Sequence, residues 1–292
     1  MKKKPMFLKV VVVMISVFAL VFALTACSQP KAEEPAEPAS APESTPTAQP
    51  VTLQIFAANS LEKALPEVQK LYTAQHPEVT FTDSQFKASG DLVEQIGAGA
   101  QADILITASA GSMDTAAEGG SIDEATRIDM FGNDLVIVKA TGSDVTVSAL
   151  EDVKSDAFAK IAIGDAATVP AGQYANQALN SIDLYTSDTG KDGEYDPAFG
   201  EKVVLADKVG TAANYVATGD CQIGFVYTSD LYRYEGIETA FTVPADAHKA
   251  ILYPGAVLKD SKSADVAKDF LNFCLTDPDA QRVWSQDGFE VL

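Results

Sequence analysis

Two serines stand where the chain turns from strand into helix. Ser60 closes Ala57-Ala58-Asn59-Ser60 after an apolar run, and Ser89 lies in Lys87-Ala88-Ser89-Gly90-Asp91 after the next extended stretch. A third junction, Gly164-Asp-Ala-Ala-Thr-Val-Pro-Ala-Gly172, again leads from strand to helix. Helix starts present unpaired N–H groups and the positive end of the helix dipole, so several aimed at one cleft hold an anion without any cationic side chain. The competing reading makes Ser60 and Ser89 ordinary N-caps, with Glu62 and Asp91 as favourable first-turn acids. Their recurrence after successive strands favours the anion. Other chemistries lack parts: there is no GxSxG, no HExxH and no histidine near a plausible nucleophile, so no catalytic residue is assigned and an enzyme is not expected. His76 and His248 stand alone and read as structural. Cys221 and Cys274 are isolated, show no zinc-ligand spacing, and read as small buried hydrophobes rather than a disulfide.

The elements that must position these residues alternate strand and helix. A strand over 51–56 precedes an amphipathic stretch over 61–72, which Pro66 should bend or delay. A strand over 79–81, a helix over 91–96, a strand over 104–107 and a further helix follow. A second series has strands over 135–138, 161–163, 203–205 and 224–227 with helices over 172–179 and 211–217. A strand over 251–258 and helices over 264–275 and 279–285 close the chain. This βαβ rhythm predicts α/β architecture in two lobes, each a mainly parallel sheet flanked by helices, with the ligand outside the carboxyl ends of the strands.

The first 50 residues read differently. Lys2, Lys3 and Lys4, an apolar run from Val10 to Ala23, and Leu24-Thr25-Ala26-Cys27 form an export signal over 1–27. Leu-Thr-Ala-Cys resembles the lipobox of bacterial lipoproteins, which implies that Cys27 becomes the lipid-modified first residue of the mature protein. Residues 28–50, rich in Pro, Ala, Glu, Ser and Thr, predict a disordered tether, extended by roughly 3.1 Å per residue where it adopts polyproline II. The formal net charge of −20 argues against nucleic acid or anionic lipid as partners. With a Debye length of about 8 Å at physiological salt, that diffuse charge scarcely reaches into a closed cleft, where local dipoles decide.

Phe56-Ala-Ala-Asn-Ser-Leu61, Ala88-Ser-Gly-Asp-Leu92, Ala102-Asp-Ile-Leu-Ile-Thr-Ala108, Gly132-Asn-Asp-Leu-Val-Ile-Val138, Gly164 to Gly172, Gly224-Phe-Val-Tyr-Thr-Ser-Asp230 and Ala247-His-Lys resemble, in order, the motifs of the periplasmic molybdate-binding proteins of ABC transporters. The resemblance spans nearly all of residues 51–292. It implies a periplasmic-binding-protein-like fold, with lobe 1 over 51–131 plus 246–292 and lobe 2 over 132–245, that closes on one tetrahedral oxyanion and delivers it to a membrane permease. Carried over residue by residue, the ligand contacts fall on Ser60 and Ser89 in the first lobe and on Ala171, Val209 and Tyr227 in the second. Ser60 and Ser89 would give hydroxyl and main-chain donors, Ala171 and Val209 backbone N–H groups, and Tyr227 its phenolic O–H. The ligand implied is molybdate, with tungstate as well. Molybdenum enters only as the oxyanion, without direct protein ligands or a further cofactor. The implied protein is a monomer outside the cytoplasm, held to the membrane through Cys27.

The chemistry explains so neutral a set. Molybdate at neutral pH is a proton-free dianion whose four oxygens only accept hydrogen bonds, whereas singly protonated phosphate also needs an acceptor for its O–H. Sulfate, another acceptor-only ion, has to be rejected by cavity size. Asn59 and Gly90 depart from the family pattern, and Asp91, if turned inward, would supply the acceptor that phosphate needs. An insertion over 185–200 carries Asp188, Asp192 and Asp196 at calcium-loop spacing, but Gly190 and Phe199 occupy two ligand positions, so a solvated acidic loop is expected. The alternatives are another oxyanion, sulfate or phosphate, and a surface sensor or adhesion domain.

Overall fold

The apolar run at 51–56 divides at Gln54. In the computed structural model, which describes residues 49–292, it forms β1 (Val51–Leu53) and β2 (Ile55–Ala58) rather than one strand. The Gln54 N–H donates to Asp103 Oδ2 at 2.8 Å, which diverts the backbone between them. The export signal, Cys27 and the tether up to residue 48 lie outside the described residues. A 3-10 turn at Asn59–Leu61 follows β2. Then α1 (Ala64–Gln75) begins late, with Pro66 in its first turn, where a missing N–H loses no bond.

The chain continues through β3 (Val79–Phe81), β4 (Gln85–Lys87), α2 (Ser89–Gly97), β5 (Ile104–Ile106), α3 (Ala110–Glu118) and β6 (Ile128–Asn133). After one residue, Asp134, it enters β7 (Leu135–Ala140), β8 (Ile161–Gly164), α4 (Pro170–Asn180), α5 (Pro197–Gly200), β9 (Val203–Ala206), α6 (Val209–Ala217), β10 (Ile223–Tyr227) and β11 (Ile237–Thr242). It returns through β12 (Ile251–Val257), α7 (Ala264–Thr276), α8 (Pro278–Gln286) and β13 (Glu290–Val291).

One sheet has the order β13-β6-β12-β5-β2-β4, another β11-β7-β10-β8-β9, and β1 pairs with β3 alone. In the first, β2, β4, β5 and β6 run one way, with β12 and β13 opposed. In the second only β7 is opposed. The chain leaves the first sheet from β6 and rejoins it in the neighbouring β12, where Asn133 faces Ile251. The two crossovers therefore lie side by side.

The central strands β2, β5, β8 and β10 are buried along their whole length, as near-continuous apolar runs covered by helices on both faces should be. Helix α4 lies so close to β8 that a Cβ on Gly172 would sit 1.9 Å from the Gly164 carbonyl oxygen. Only glycine lets the start of α4 settle over that strand end. Cys221 and Cys274 are buried and free, as small hydrophobes. The 185–200 insertion folds back on α4: Asn176 Nδ2 donates to Gly190 O at 3.2 Å and Gln177 Nε2 to Thr189 O at 3.0 Å. Asp196, the ninth position of the calcium-like pattern, instead caps α5 through Ala198 N and Phe199 N.

Candidate anion-binding site

Four helix starts meet at one small cavity. The 3-10 turn after β2 and α2 after β4 come from the first sheet, and α4 after β8 and α6 after β9 from the second. Their N-cap residues, Ala58, Ala88, Val169 and Lys208, make no side-chain cap. By contrast α3, α5 and α8 are capped by Ser109, Asp196 and Asp277. The N–H groups of Ser60, Ser89, Ala171 and Val209 consequently have no acceptor among the described residues. Ser60 and Ser89 are not N-caps, because each lies inside its helical turn after an alanine, and that competing reading fails. The cavity measures about 10 Å³, far below the roughly 300–1,000 Å³ of pockets for drug-sized ligands. All five predicted residues, Ser60, Ser89, Ala171, Val209 and Tyr227, line it.

Three hydroxyls join the amides. Ser89 Oγ accepts from Ala108 N at 3.0 Å, which occupies a lone pair and leaves its proton uncommitted. Ser60 Oγ lies 2.9 Å from Tyr253 Oη. Tyr227 Oη is buried with no hydrogen-bond partner among the described residues, and such an atom in a folded protein calls for a ligand or water. Burial pushes the Tyr227 phenol well above its ordinary range, with Tyr253, Tyr174 and Asp230 adding to the rise, so it remains a donor. Its position at the end of β10 is fixed by its own N–H, which donates to Asp230 Oδ2 at 3.0 Å. Asp230 in turn accepts from Arg233 Nη1 at 2.7 Å. Burial raises the Asp230 carboxyl, and Arg233 and the Tyr227 N–H pull it only part of the way back.

The two lobes touch around the cavity, and the form described is closed. Gly90 N donates to Thr168 O at 2.9 Å, Gly210 N to Asn59 Oδ1 at 3.2 Å, and Arg233 Nη2 to Glu62 Oε2 at 3.1 Å. A Cβ on Gly90 would lie 2.6 Å from Thr168 Cα, so at this position the backbones themselves meet.

Sequence reasoning missed several neighbours. Asn59 lines the cavity, its oxygen taken by Gly210 and its NH2 by Glu62 Oε2 at 3.1 Å. Its place between Ala58 and Ser60 was the available signal. Lys87 stands at the mouth with an exposed side chain, so one cation is near although none is enclosed. Tyr253, behind Ser60, gave no signal. Asp91 lies in the first turn of α2, and no carboxylate is among the lining residues. The arrangement offers four amide and three hydroxyl donors and no carboxylate, which suits a small anion that only accepts.

The family profile of bacterial extracellular solute-binding proteins matches residues 53–290. YvgL of Bacillus subtilis, assigned as an ABC transporter substrate-binding lipoprotein, is 32% identical over 239 residues, covering 82% of this chain and 86% of its own. The molybdate-binding protein ModA of Haemophilus influenzae is 32% identical over 242 residues, covering 81% and 89%. A solved substrate-binding domain from Clostridium difficile, assigned to a molybdenum ABC transporter, superposes with a TM-score of 0.62 at 32% identity, covering 83% of this chain and 99% of that one. The chain belongs to the bacterial extracellular solute-binding protein family.

Proposed function

We infer that this protein is the extracytoplasmic solute-binding component of a molybdate ABC importer, capturing the oxyanion between its lobes and handing it to the permease. One observation carries the choice of ligand: seven donors, the N–H groups of Ser60, Ser89, Ala171 and Val209 and the O–H groups of Ser60, Ser89 and Tyr227, surround a cavity without a carboxylate. Hydrogen bonds to a charged partner contribute about 1.5–3 kcal/mol each, or about 10–20 kcal/mol gross for seven. A micromolar complex needs only about 8 kcal/mol, so the remainder is free to offset desolvation of the dianion and the ordering of two lobes.

Tungstate, with the same charge and donor needs, is bound as well. A protonated phosphate would leave its O–H without an acceptor. The protein acts as a monomer with no catalytic step, tethered to the membrane through a lipid on Cys27. Because the donors come from both lobes, the anion favours the closed arrangement. Calorimetry with molybdate, tungstate, sulfate and phosphate tests the assignment: submicromolar binding of the first two alone supports it, and no oxyanion binding removes it. For the anchor, Cys27→Ser should abolish incorporation of labelled fatty acid, and unchanged incorporation would refute it.

A further inference from the structure

Behind the cavity a run of hydrogen bonds leads from the second lobe, through the crossover, to Ser60. Asp134 N donates to Asn133 Oδ1 at 3.0 Å, which fixes the orientation of the Asn133 amide. Its NH2 group then donates to Ser229 Oγ at 2.9 Å and to Tyr253 Oη at 3.3 Å. An amide NH2 cannot accept, so the Tyr253 oxygen is the acceptor in that pair. Among the described residues the Tyr253 hydroxyl has one other hydrogen-bond partner, Ser60 Oγ at 2.9 Å. Tyr253 and Ser229 are fully buried and Ser60 nearly so. Donation from Tyr253 to Ser60 is the direction that gives the Tyr253 proton an acceptor and leaves the Ser60 proton for a ligand in the cavity. With Tyr253 donating to it, Ser60 keeps its own proton for the cavity.

We propose that Asn133, acting through Tyr253, holds the Ser60 hydroxyl as a donor and thereby sets the preference of the site for proton-free oxyanions over protonated ones. Asn133 and Tyr253 are positioning residues and do not line the cavity. The inference rests on the oxyanion-binding reading and extends it. Asn133 ends β6 at the crossover, and its second bond reaches Ser229 beyond β10. The direction of the Ser60 proton is thus set from the joint between the lobes.

The test is a double-mutant cycle read by calorimetry with molybdate and with phosphate. Asn133→Asp keeps the shape but replaces NH2 by an accepting oxygen, which draws the Tyr253 proton and lets Ser60 donate backwards. Molybdate should weaken about 10–100-fold, the size of one charge-assisted hydrogen bond, and phosphate near pH 6 should weaken far less. In the Ser60→Ala background the same substitution should cost little further. An equal loss there, which simple charge repulsion or a general structural defect would produce, overturns the proposal, as does an unchanged molybdate-to-phosphate ratio. Tyr253→Phe carries no new charge and serves if Asn133→Asp does not fold: it frees the Ser60 oxygen to accept, so phosphate near pH 6 should gain on molybdate, and an unchanged ratio overturns the proposal. Failure of the parent protein to bind molybdate would instead remove the functional reading, so the two failures are distinct.

Discussion

Tyr227→Phe should separate binding from stability. The hydroxyl it removes is buried and has no hydrogen-bond partner among the described residues. An unmatched buried hydroxyl costs a fold about 1–3 kcal/mol, so in the ligand-free protein the phenylalanine should leave stability unchanged or raise it by up to that amount. With the anion present, the same hydroxyl is one of seven donors to a charged partner and is worth about 1.5–3 kcal/mol, so affinity for molybdate should fall about 10–150-fold. The ring stays, and so does its packing 5.9 Å from the Tyr253 ring, which limits the change to one oxygen. Thermal unfolding without ligand and titration calorimetry with molybdate give the two readouts on one preparation. A destabilised variant that binds molybdate as tightly as the parent would refute the reasoning, because the hydroxyl would then be serving the fold.

Three further outcomes follow from the same geometry. At a molybdate concentration 100-fold above Kd, mass action adds about 2.7 kcal/mol to stability, a rise in Tm of about 5–10 °C for a domain of this size; no rise would contradict a ligand held by the folded, closed form. Gly90→Ala puts a Cβ 2.6 Å from Thr168 Cα and should hold the lobes apart, lowering affinity about tenfold or more and enlarging the scattering radius of the liganded protein. Unchanged affinity would mean that closure at Gly90 is not needed. Every enclosed donor is uncharged, and burial raises the Tyr227 phenol further from neutrality, so its protonated donor form persists as pH rises. Molybdate affinity should therefore stay flat from about pH 6 to pH 9, and a midpoint within that window would reveal a titrating group holding the anion.

How much of the site could be seen in the chain depended on which atoms act. Ser60 and Ser89 were visible as small polar residues at strand-to-helix junctions. Ala171 and Val209 were not, because the uncommitted atoms there are backbone N–H groups, which any side chain could accompany. Only the order of motifs over the whole chain pointed to them. Tyr227 ends the buried strand β10 and reads equally as core. Tyr253 was beyond reach, since its role depends on a contact with Ser60 across 193 positions.

The fold shows the same division. Buried central strands such as Ile161–Gly164 were legible as apolar runs, while β6, with Gly132 and Asn133 and two exposed residues at its start, was missed. Strand β11 lies at a sheet edge and is only partly buried, which blurs the alternation that marks a strand. The break at Gln54 comes from Asp103, 49 residues away, and local propensity carries no trace of it.

A crystal structure of the protein grown with molybdate tests the central claim most directly. The anion should lie between the lobes, within hydrogen-bonding distance of Ser60, Ser89, Ala171, Val209 and Tyr227, with no carboxylate against it. An anion held instead by Lys87 or Arg233, or bound outside this cavity, would contradict the account.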